Sequence, residues 1–119
     1  MDTETHLKKF EKELSAGTVA LVLLVVLAQA DEPLYGYQIA KRLEHSAGGA
    51  LSGKQSALYP VLRSLSAAGL LDSEVEPSIS GPPRRYYRIT PLGRAVASEW
   101  MQSWTATRRF VDSVLKGAV

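Results

Sequence analysis

Apolar residues recur at helical spacing in the first quarter of the chain. From Asp2 to Leu14 the residues Leu7, Phe10 and Leu14 stand at i, i+3 and i+7 among lysines and glutamates. This spacing predicts a short amphipathic helix that packs on something larger. The next segment, Thr18 to Ala30, is apolar all round, which is typical of a helix contacted on several sides.

Two further apolar stripes predict a second and a third core helix. The second helix begins at Tyr35, and Gly48-Gly49 provide its end. The third ends at Gly69, and Pro60 inside it predicts a short or kinked first turn because proline lacks a backbone donor. The two stripes consist of Tyr35, Ile39 and Leu43, and of Leu58, Val61, Leu62 and Leu65.

After Gly69 the hydrophobic pattern changes to a period of two. Leu71 to Glu76 and Arg84 to Ile89 both alternate, and the segment PSISGPP separates them. Together they predict a β-hairpin. A register that places Glu76 opposite Arg84 also places Asp72 opposite Arg88, so that the cross-strand charges match.

A long helix should follow the hairpin. Thr90 is a suitable N-cap, and Pro91 fits the first helical position, where a missing N–H has no cost. Continued to Lys116, the helix would extend roughly 39 Å. Its apolar positions form a heptad seam of Ala97, Trp100, Trp104, Thr107, Val111, Val114 and Ala118. The far end of such a helix overruns a domain of this size and needs a partner.

The order of these elements predicts a mostly α protein with a two-stranded β wing, namely a winged helix-turn-helix domain with a C-terminal extension. We expect an N-terminal amphipathic helix in residues 1–14, the winged helix-turn-helix domain in residues 15–90 and a dimerisation helix in residues 91–119. The length of 119 residues suits one compact core. The apolar stretch from Val19 to Ala28 is too short for a membrane span. Because no leader is visible, we expect the cytoplasm as the location.

The charge is uneven along the chain although the formal net charge is only +2. Residues 41–94 contain eight of the fourteen Lys and Arg residues but four acids. Such a basic region suits a polyanion such as nucleic acid, although an unevenly charged solvated surface has the same composition. With no cysteine, and with His6 and His45 far apart in polar stretches, we expect no enzyme, no cofactor and no metal site.

In a winged helix-turn-helix domain the helix before the hairpin enters the major groove, and the wing lies on the backbone or in the minor groove. The wing here contributes Arg84 and Arg85. Since Glu76 would hold Arg84, Arg85 is the better candidate for a phosphate contact. The DNA-facing side of the third helix consists of Lys54, Gln55, Ser56, Tyr59 and Arg63. An ordinary polar helix surface is the alternative reading of that side.

Four stretches of the chain resemble the PadR family of bacterial transcriptional regulators. They are LSAGT (14–18), YGYQIAKRLE (35–44), ALYPVLRSLSAAGLL (57–71) and GPPRRYYRITPLG (81–93). The resemblance implies a winged-helix homodimer, usually a repressor, whose C-terminal helix crosses to the partner subunit. It places Tyr59 and the residues before it in the recognition helix, and Arg84 and Arg85 in the wing.

The sequence departs from this family at three positions of the third helix. Ala57 stands where threonine is usual, Ser64 where a basic residue is common and Ser66 where glutamate is common. The first two departures remove possible phosphate contacts. The single C-terminal helix resembles the compact branch of the family, some members of which bind flat aromatic or multidrug ligands between the subunits against a tryptophan that matches Trp104.

Two functions therefore compete. The first is a dimeric repressor that binds pseudo-palindromic double-stranded DNA and that a planar aromatic molecule could release from the DNA. The second is a winged-helix protein-interaction module without direct DNA binding. The ligand site would be lined by Trp100, Trp104 and Leu21, and Arg108 on the same side of the helix favours an aromatic acid. Interface packing alone would also account for both tryptophans.

Overall fold

The computed structural model describes residues 2–44 and 55–118, with the backbone alone at Gln55, Ser56 and Ala118. Four helices and a small antiparallel sheet make up this part of the chain. The helices are α1 (Thr3–Gln29), α2 (Gly36–Glu44), α3 (Gln55–Ala67) and α4 (Pro91–Ala118), and the strands are β1 (Leu34–Tyr35), β2 (Leu71–Glu76) and β3 (Arg84–Ile89). This is the mostly helical winged-helix architecture that the sequence predicts.

The first helix is continuous, whereas the sequence predicted two separate helices in this region. α1 runs for 27 residues through Gly17, because one glycine in a helix costs about 1 kcal/mol while a break leaves several backbone groups without partners. Leu7, Phe10 and Leu14 of its first half are 52–59% exposed. The apolar stripe expected to pack on a larger body is therefore uncovered in the single chain.

The sheet has a third strand that the sequence analysis missed. Strand β1 pairs antiparallel with β3, with Leu34 opposite Tyr87 and Tyr35 opposite Tyr86. Tyr35 thus lies in a strand and not, as predicted, on the apolar stripe of α2, which begins one residue later. The sheet order is β1-β3-β2.

The predicted register of the hairpin is confirmed. Asp72 lies opposite Arg88, and Glu76 lies opposite Arg84. Within residues 2–44 and 55–118, however, the ion pairs closer than 4 Å are Lys8–Glu4 and Lys41–Glu44. The opposed charges of the hairpin therefore agree with the register without closing into salt bridges.

One hydrophobic core lies between α1, α2, α3 and the base of the sheet. Its most deeply buried side chains are Leu23, Leu24, Ile39, Leu62 and Leu71. α3 contributes to this core and continues through Pro60. No helix in the described parts of the chain is long and apolar enough to cross a membrane.

Thr90 connects the end of α3 with the start of α4. Its hydroxyl donates to the carbonyl of Gly69 at 2.8 Å and accepts from the N–H of Gly93 at 2.9 Å. Its own N–H donates to the carbonyl of Leu70 at 3.1 Å. The predicted N-cap is confirmed, and it also anchors the turn that precedes β2.

The second half of α4 projects away from the core. The first three turns pack on the core through Val96, Ala97 and Trp100, but from Met101 onward nearly every described side chain is exposed. The molecule is accordingly elongated, with principal extents of 56 × 34 × 24 Å. The overrun expected from the sequence is present.

Candidate nucleic-acid interface

A groove of about 570 Å³ lies between the wing and the helix-turn-helix part of the domain. The start of α2 and the first half of α3 form one wall, and the wing forms the other. The helical wall and β1 contribute Tyr35, Gly36, Tyr37 and Tyr59; the wing contributes Ser78, Ser80, Pro82, Pro83, Arg84 and Arg85. Three tyrosines and two arginines therefore line the same groove.

Tyr59 sits at the base of this groove because Gly36 leaves room for its ring. A Cβ atom at Gly36 would lie only 2.6 Å from the Tyr59 Oη and 2.9 Å from its Cε1. The close approach joins the start of α2 to α3. It also places the Tyr59 phenol at the groove, on the helix that a winged-helix domain inserts into the major groove.

Arg85 lies on the side of the wing that faces α3. Its guanidinium donates to the Ser73 Oγ of the neighbouring strand at 2.9 Å. Burial raises the pKa of the nearby Tyr87 phenol above its ordinary value, while the positive charges of Arg85 and Arg63 oppose that rise. Both cations therefore act electrostatically on the buried Tyr87 of β3.

The sequence predicted that Glu76 would hold Arg84, but the two side chains do not pair in the structure. Its guanidinium carbon lies 4.5 Å from the centre of the Tyr35 ring. The physical reason is strand β1, which places an aromatic ring beside the wing. Arg84 consequently lines the groove together with Arg85.

A second, smaller cleft along the sheet is acidic. Its volume is about 230 Å³, and it is lined by Glu32, Asp72, Glu74 and Glu76, with Arg88 as its basic residue. A polyanion would be repelled from this cleft. The distribution of charge therefore favours the groove over the acidic cleft as a surface for a polyanion.

The structure brings together some of the residues expected to bind DNA. Tyr59, Arg84 and Arg85 line one groove, and Arg63 is exposed on α3. Lys54 lies outside the described residues, and Gln55 and Ser56 are described by their backbone as the first residues of α3. Sequence reasoning missed Tyr35, Tyr37 and Ser73; the only signal for the first two was the aromatic pair in YGY.

A second candidate site lies where α1 crosses α4. Trp100, Trp104 and Leu21 line a cleft of about 640 Å³, and Trp104 and Leu21 also line a second cleft of about 390 Å³. Arg108 lines neither cleft, whereas Glu13 lines the first and Glu11 the second. In the single chain, the charged residues that line the two clefts are therefore glutamates.

Comparisons with known proteins agree on one family. The model of the transcriptional regulator PadR-like family matches residues 23–99. A transcriptional regulator of Mycobacterium tuberculosis is 36% identical over 80 residues, which cover 67% of this chain and 71% of that protein. An uncharacterised protein of Lysinibacillus sphaericus is 26% identical over 105 residues, covering 88% and 94% of the two chains.

Solved structures show the same relationship. A PadR family regulator from Eggerthella lenta superposes with a TM-score of 0.72 at 34% identity, covering 94% of each chain. A PadR-like regulator from Bacillus cereus has a TM-score of 0.70 at 27% identity, covering 87% of this chain and 96% of that one. The matched region contains α2, α3, the wing and the start of α4, and so the groove described above. The chain therefore belongs to the PadR-like family of DNA-binding transcriptional regulators.

Proposed function

We propose that the protein is a homodimeric repressor that binds a pseudo-palindromic DNA operator in the cytoplasm. The observation that carries the proposal is the groove in which Arg84 and Arg85 face Tyr59 of the recognition helix. Guanidinium and phenol groups are donors to phosphate oxygens. One DNA strand would run along the groove with its phosphates between the wing and α3, while Gln55 and Ser56 at the start of α3, together with the preceding Lys54, read base edges in the major groove.

The uncovered apolar faces of α1 and α4 support the homodimer. Along the second half of α4, Trp104, Val111, Val114 and Leu115 are 41–56% exposed. An apolar surface of this extent is unusual on a monomeric soluble protein. A second copy related by a two-fold axis would cover both faces at once. In this arrangement residues 1–14 and 91–119 form the dimer, and residues 15–90 bind the DNA.

Selection of bound fragments from genomic DNA, followed by titration of the best duplex at several salt concentrations, tests the DNA half of the proposal. Arg85→Ala should reduce the slope of log K against log salt by about one. Arg109→Ala removes the same charge from an exposed position on α4, outside the groove, and is the matched control. Equal slopes for the two variants would contradict the assignment of the groove.

Sequence preference is a separate property of the same surface. Replacing Gln55 should change the preferred base at one operator position by about 1–3 kcal/mol, because a glutamine amide can pair bidentately with adenine. Arg85→Ala should instead weaken all duplexes similarly. An unchanged sequence preference would remove Gln55 from the base-reading set.

The rival function is a winged-helix module that binds another protein. It would explain the exposed α4, but not the concentration of cations and phenols in one groove. A chain that sediments as a monomer and binds no duplex selectively would favour this alternative.

A second proposed activity is the binding of a planar aromatic molecule beside Trp104. Its side chain lines both clefts, and a tryptophan face is a broad surface for stacking. Because Glu11 and Glu13 line the clefts and Arg108 does not, we expect an aromatic cation and not an aromatic acid. Such a ligand would release DNA only if it bound more tightly to a dimer geometry with the wrong spacing.

Fluorescence titration with matched pairs of aromatic cations and aromatic acids tests the ligand proposal. Quenching by the cations should disappear in Trp104→Ala, while Trp100 remains as the reporter and sedimentation confirms that the dimer persists. Quenching by acids alone would contradict the assigned charge. Absence of quenching by either class would leave Trp104 as part of the interface only.

A further inference from the structure

A stack of aromatic rings and cations connects the wing with α2. The Arg84 guanidinium carbon lies 4.5 Å from the centre of the Tyr35 ring, which meets the Tyr86 ring edge-on at 5.3 Å. The Tyr37 ring is stacked 6.3 Å from Tyr35, and the Lys41 Nζ lies 5.6 Å from the centre of Tyr37. Arg84 of the wing and Lys41 of α2 therefore contact one connected set of tyrosine rings.

The kind of partner decides how much charge Arg84 offers to DNA. A carboxylate would orient the guanidinium but cancel its charge. An aromatic ring orients it through the negative face of its π-system and adds no compensating charge. Although Glu76 is the cross-strand neighbour of Arg84, the two side chains form no ion pair within the described parts of the chain.

Orientation before binding also matters, because a long flexible side chain loses rotamer freedom when it contacts a phosphate. Tyr35 is suited to limit this loss. Its backbone pairs with β3, its N–H donates to the Gln38 Oε1 at 3.1 Å, and its ring is supported by Tyr86. The ring that receives Arg84 is therefore itself fixed.

We propose that Tyr35 is a positioning residue for DNA binding: it holds the Arg84 guanidinium at the groove, already oriented and not paired with Glu76. This inference rests on the proposed use of the groove for DNA and names the residue that prepares one of its cations. Arg85 is prepared differently, through the neutral hydroxyl of Ser73. Within the described parts of the chain, neither wing arginine lies in an ion pair with a carboxylate.

The test is a double-mutant cycle on the full-length protein with its selected duplex, measured over a range of KCl concentrations. Tyr35→Phe, which keeps the ring, should bind within about twofold of the wild type. Tyr35→Leu should weaken binding about three- to tenfold with an unchanged salt slope, since Arg84 keeps its charge. Arg84→Ala should lower the slope by about one, and adding Tyr35→Leu to it should weaken binding little further.

Two results would overturn the proposal. One is that Tyr35→Leu lowers the affinity for the duplex by the same factor in the wild type and in Arg84→Ala. The other is that Tyr35→Phe binds the duplex as weakly as Tyr35→Leu. If Tyr35→Leu does not fold, Glu76→Gln is combined with Arg84→Ala in a second double-mutant cycle. Coupling between Glu76 and Arg84 would show that the carboxylate, and not the ring, holds the arginine.

A measurement without DNA separates this inference from the proposed function. The Arg84 side-chain protons should show upfield ring-current shifts in the NMR spectrum of the wild type and of Tyr35→Phe, and should lose them in Tyr35→Leu. Normal shifts in the wild type would reject the stack itself. Clear ring-current shifts in a protein that binds no duplex selectively would instead reject the DNA function.

Discussion

At the scale of single residues, Arg84 and Arg85 show what residue identity predicts and what it leaves open. Both were expected in the wing, and both line the groove. Their partners, Tyr35 and Ser73, were not foreseen. Charge complementarity along the sequence favoured Glu76 for Arg84, but a ring contributed by a distant strand replaces it. The contact partner of a surface arginine depends on which elements the tertiary fold brings next to it, and local sequence periodicity does not contain that information.

Gly93 is required by a close backbone approach. A Cβ atom there would collide with the carbonyl oxygen of Leu70 and would lie 2.7 Å from the Ile89 Cγ1. Backbone cannot move aside as a flexible side chain can, so Gly93→Ala should lower the free energy of unfolding by about 1–3 kcal/mol. Urea denaturation measures the change.

Gly117→Ala is the matched control, since nothing lies within 4 Å of a Cβ at that position of α4. Replacing a helical glycine by alanine is ordinarily favourable by up to about 1 kcal/mol. A Gly93 variant as stable as the Gly117 variant would show that the turn after α3 can adjust.

Tyr87 provides a pH-dependent prediction. Burial raises its pKa above 10.0, an effect that Arg85 partly opposes. Because the folded state binds the phenolic proton more tightly, this contribution to stability is fully present below pH 10 and is lost as the pH rises through the raised pKa. Tyr87→Phe should therefore flatten the alkaline decline of the free energy of unfolding, measured by denaturant titration from about pH 9 upward.

The comparison for Tyr87 is the exposed Tyr37. Tyr37→Phe removes a phenol that is 50% exposed and should retain the wild-type alkaline decline. The same flattening in both variants would mean that burial of Tyr87 is not its cause.

At the scale of elements, the parts predictable from sequence were those with a local signal. The alternation of Leu71 to Glu76 with matching charges gave the correct hairpin register, and Thr90-Pro91 gave the correct start of α4. Strand β1 was missed because two residues are too few to show a period, and its pairing with β3 is nonlocal. The break expected near Gly17 was wrong because helix continuity outweighs one unfavourable residue.

The cap of α4 leads to a prediction about Thr90. Its hydroxyl donates to the Gly69 carbonyl and accepts from the Gly93 N–H. Thr90→Val loses both hydrogen bonds while keeping the shape of the side chain. The free energy of unfolding should fall by about 1–2 kcal/mol. Thr90→Ser, which retains the hydroxyl, should recover most of the loss in the same denaturation experiment. Equal losses in both variants would implicate the methyl group and not the cap.

At the scale of the whole molecule, charge and apolar surface are separated. The groove with its arginines lies between the wing and the helix-turn-helix part of the domain, while the uncovered apolar residues belong to the first half of α1 and the second half of α4. DNA and a second copy would therefore bind without competing. Because Thr90 joins α4 to the turn between α3 and the wing, the orientation of α4 in a dimer would set the distance between the two recognition helices.

Because two half-sites need the two recognition helices of a dimer, dimerisation and tight DNA binding should fail together when α4 alone is altered. Val111, 42% exposed on the seam of α4 and far along the chain from the groove, is the position to change. Wild type should sediment at twice the mass of the 12.9 kDa chain at micromolar concentration. Val111→Glu should sediment at the monomer mass, because a dimer would bury two unpaired like charges, one from each chain, in its apolar seam. Val111→Ala keeps the seam neutral and is the control, which should remain a dimer. The glutamate variant should lose tight binding to two half-sites about one helical turn apart, yet bind a single half-site as weakly as the wild type does. A monomeric Val111→Glu protein that still distinguished the two-half-site duplex would show that one chain reads the operator alone, and a wild type at monomer mass would reject the dimer itself.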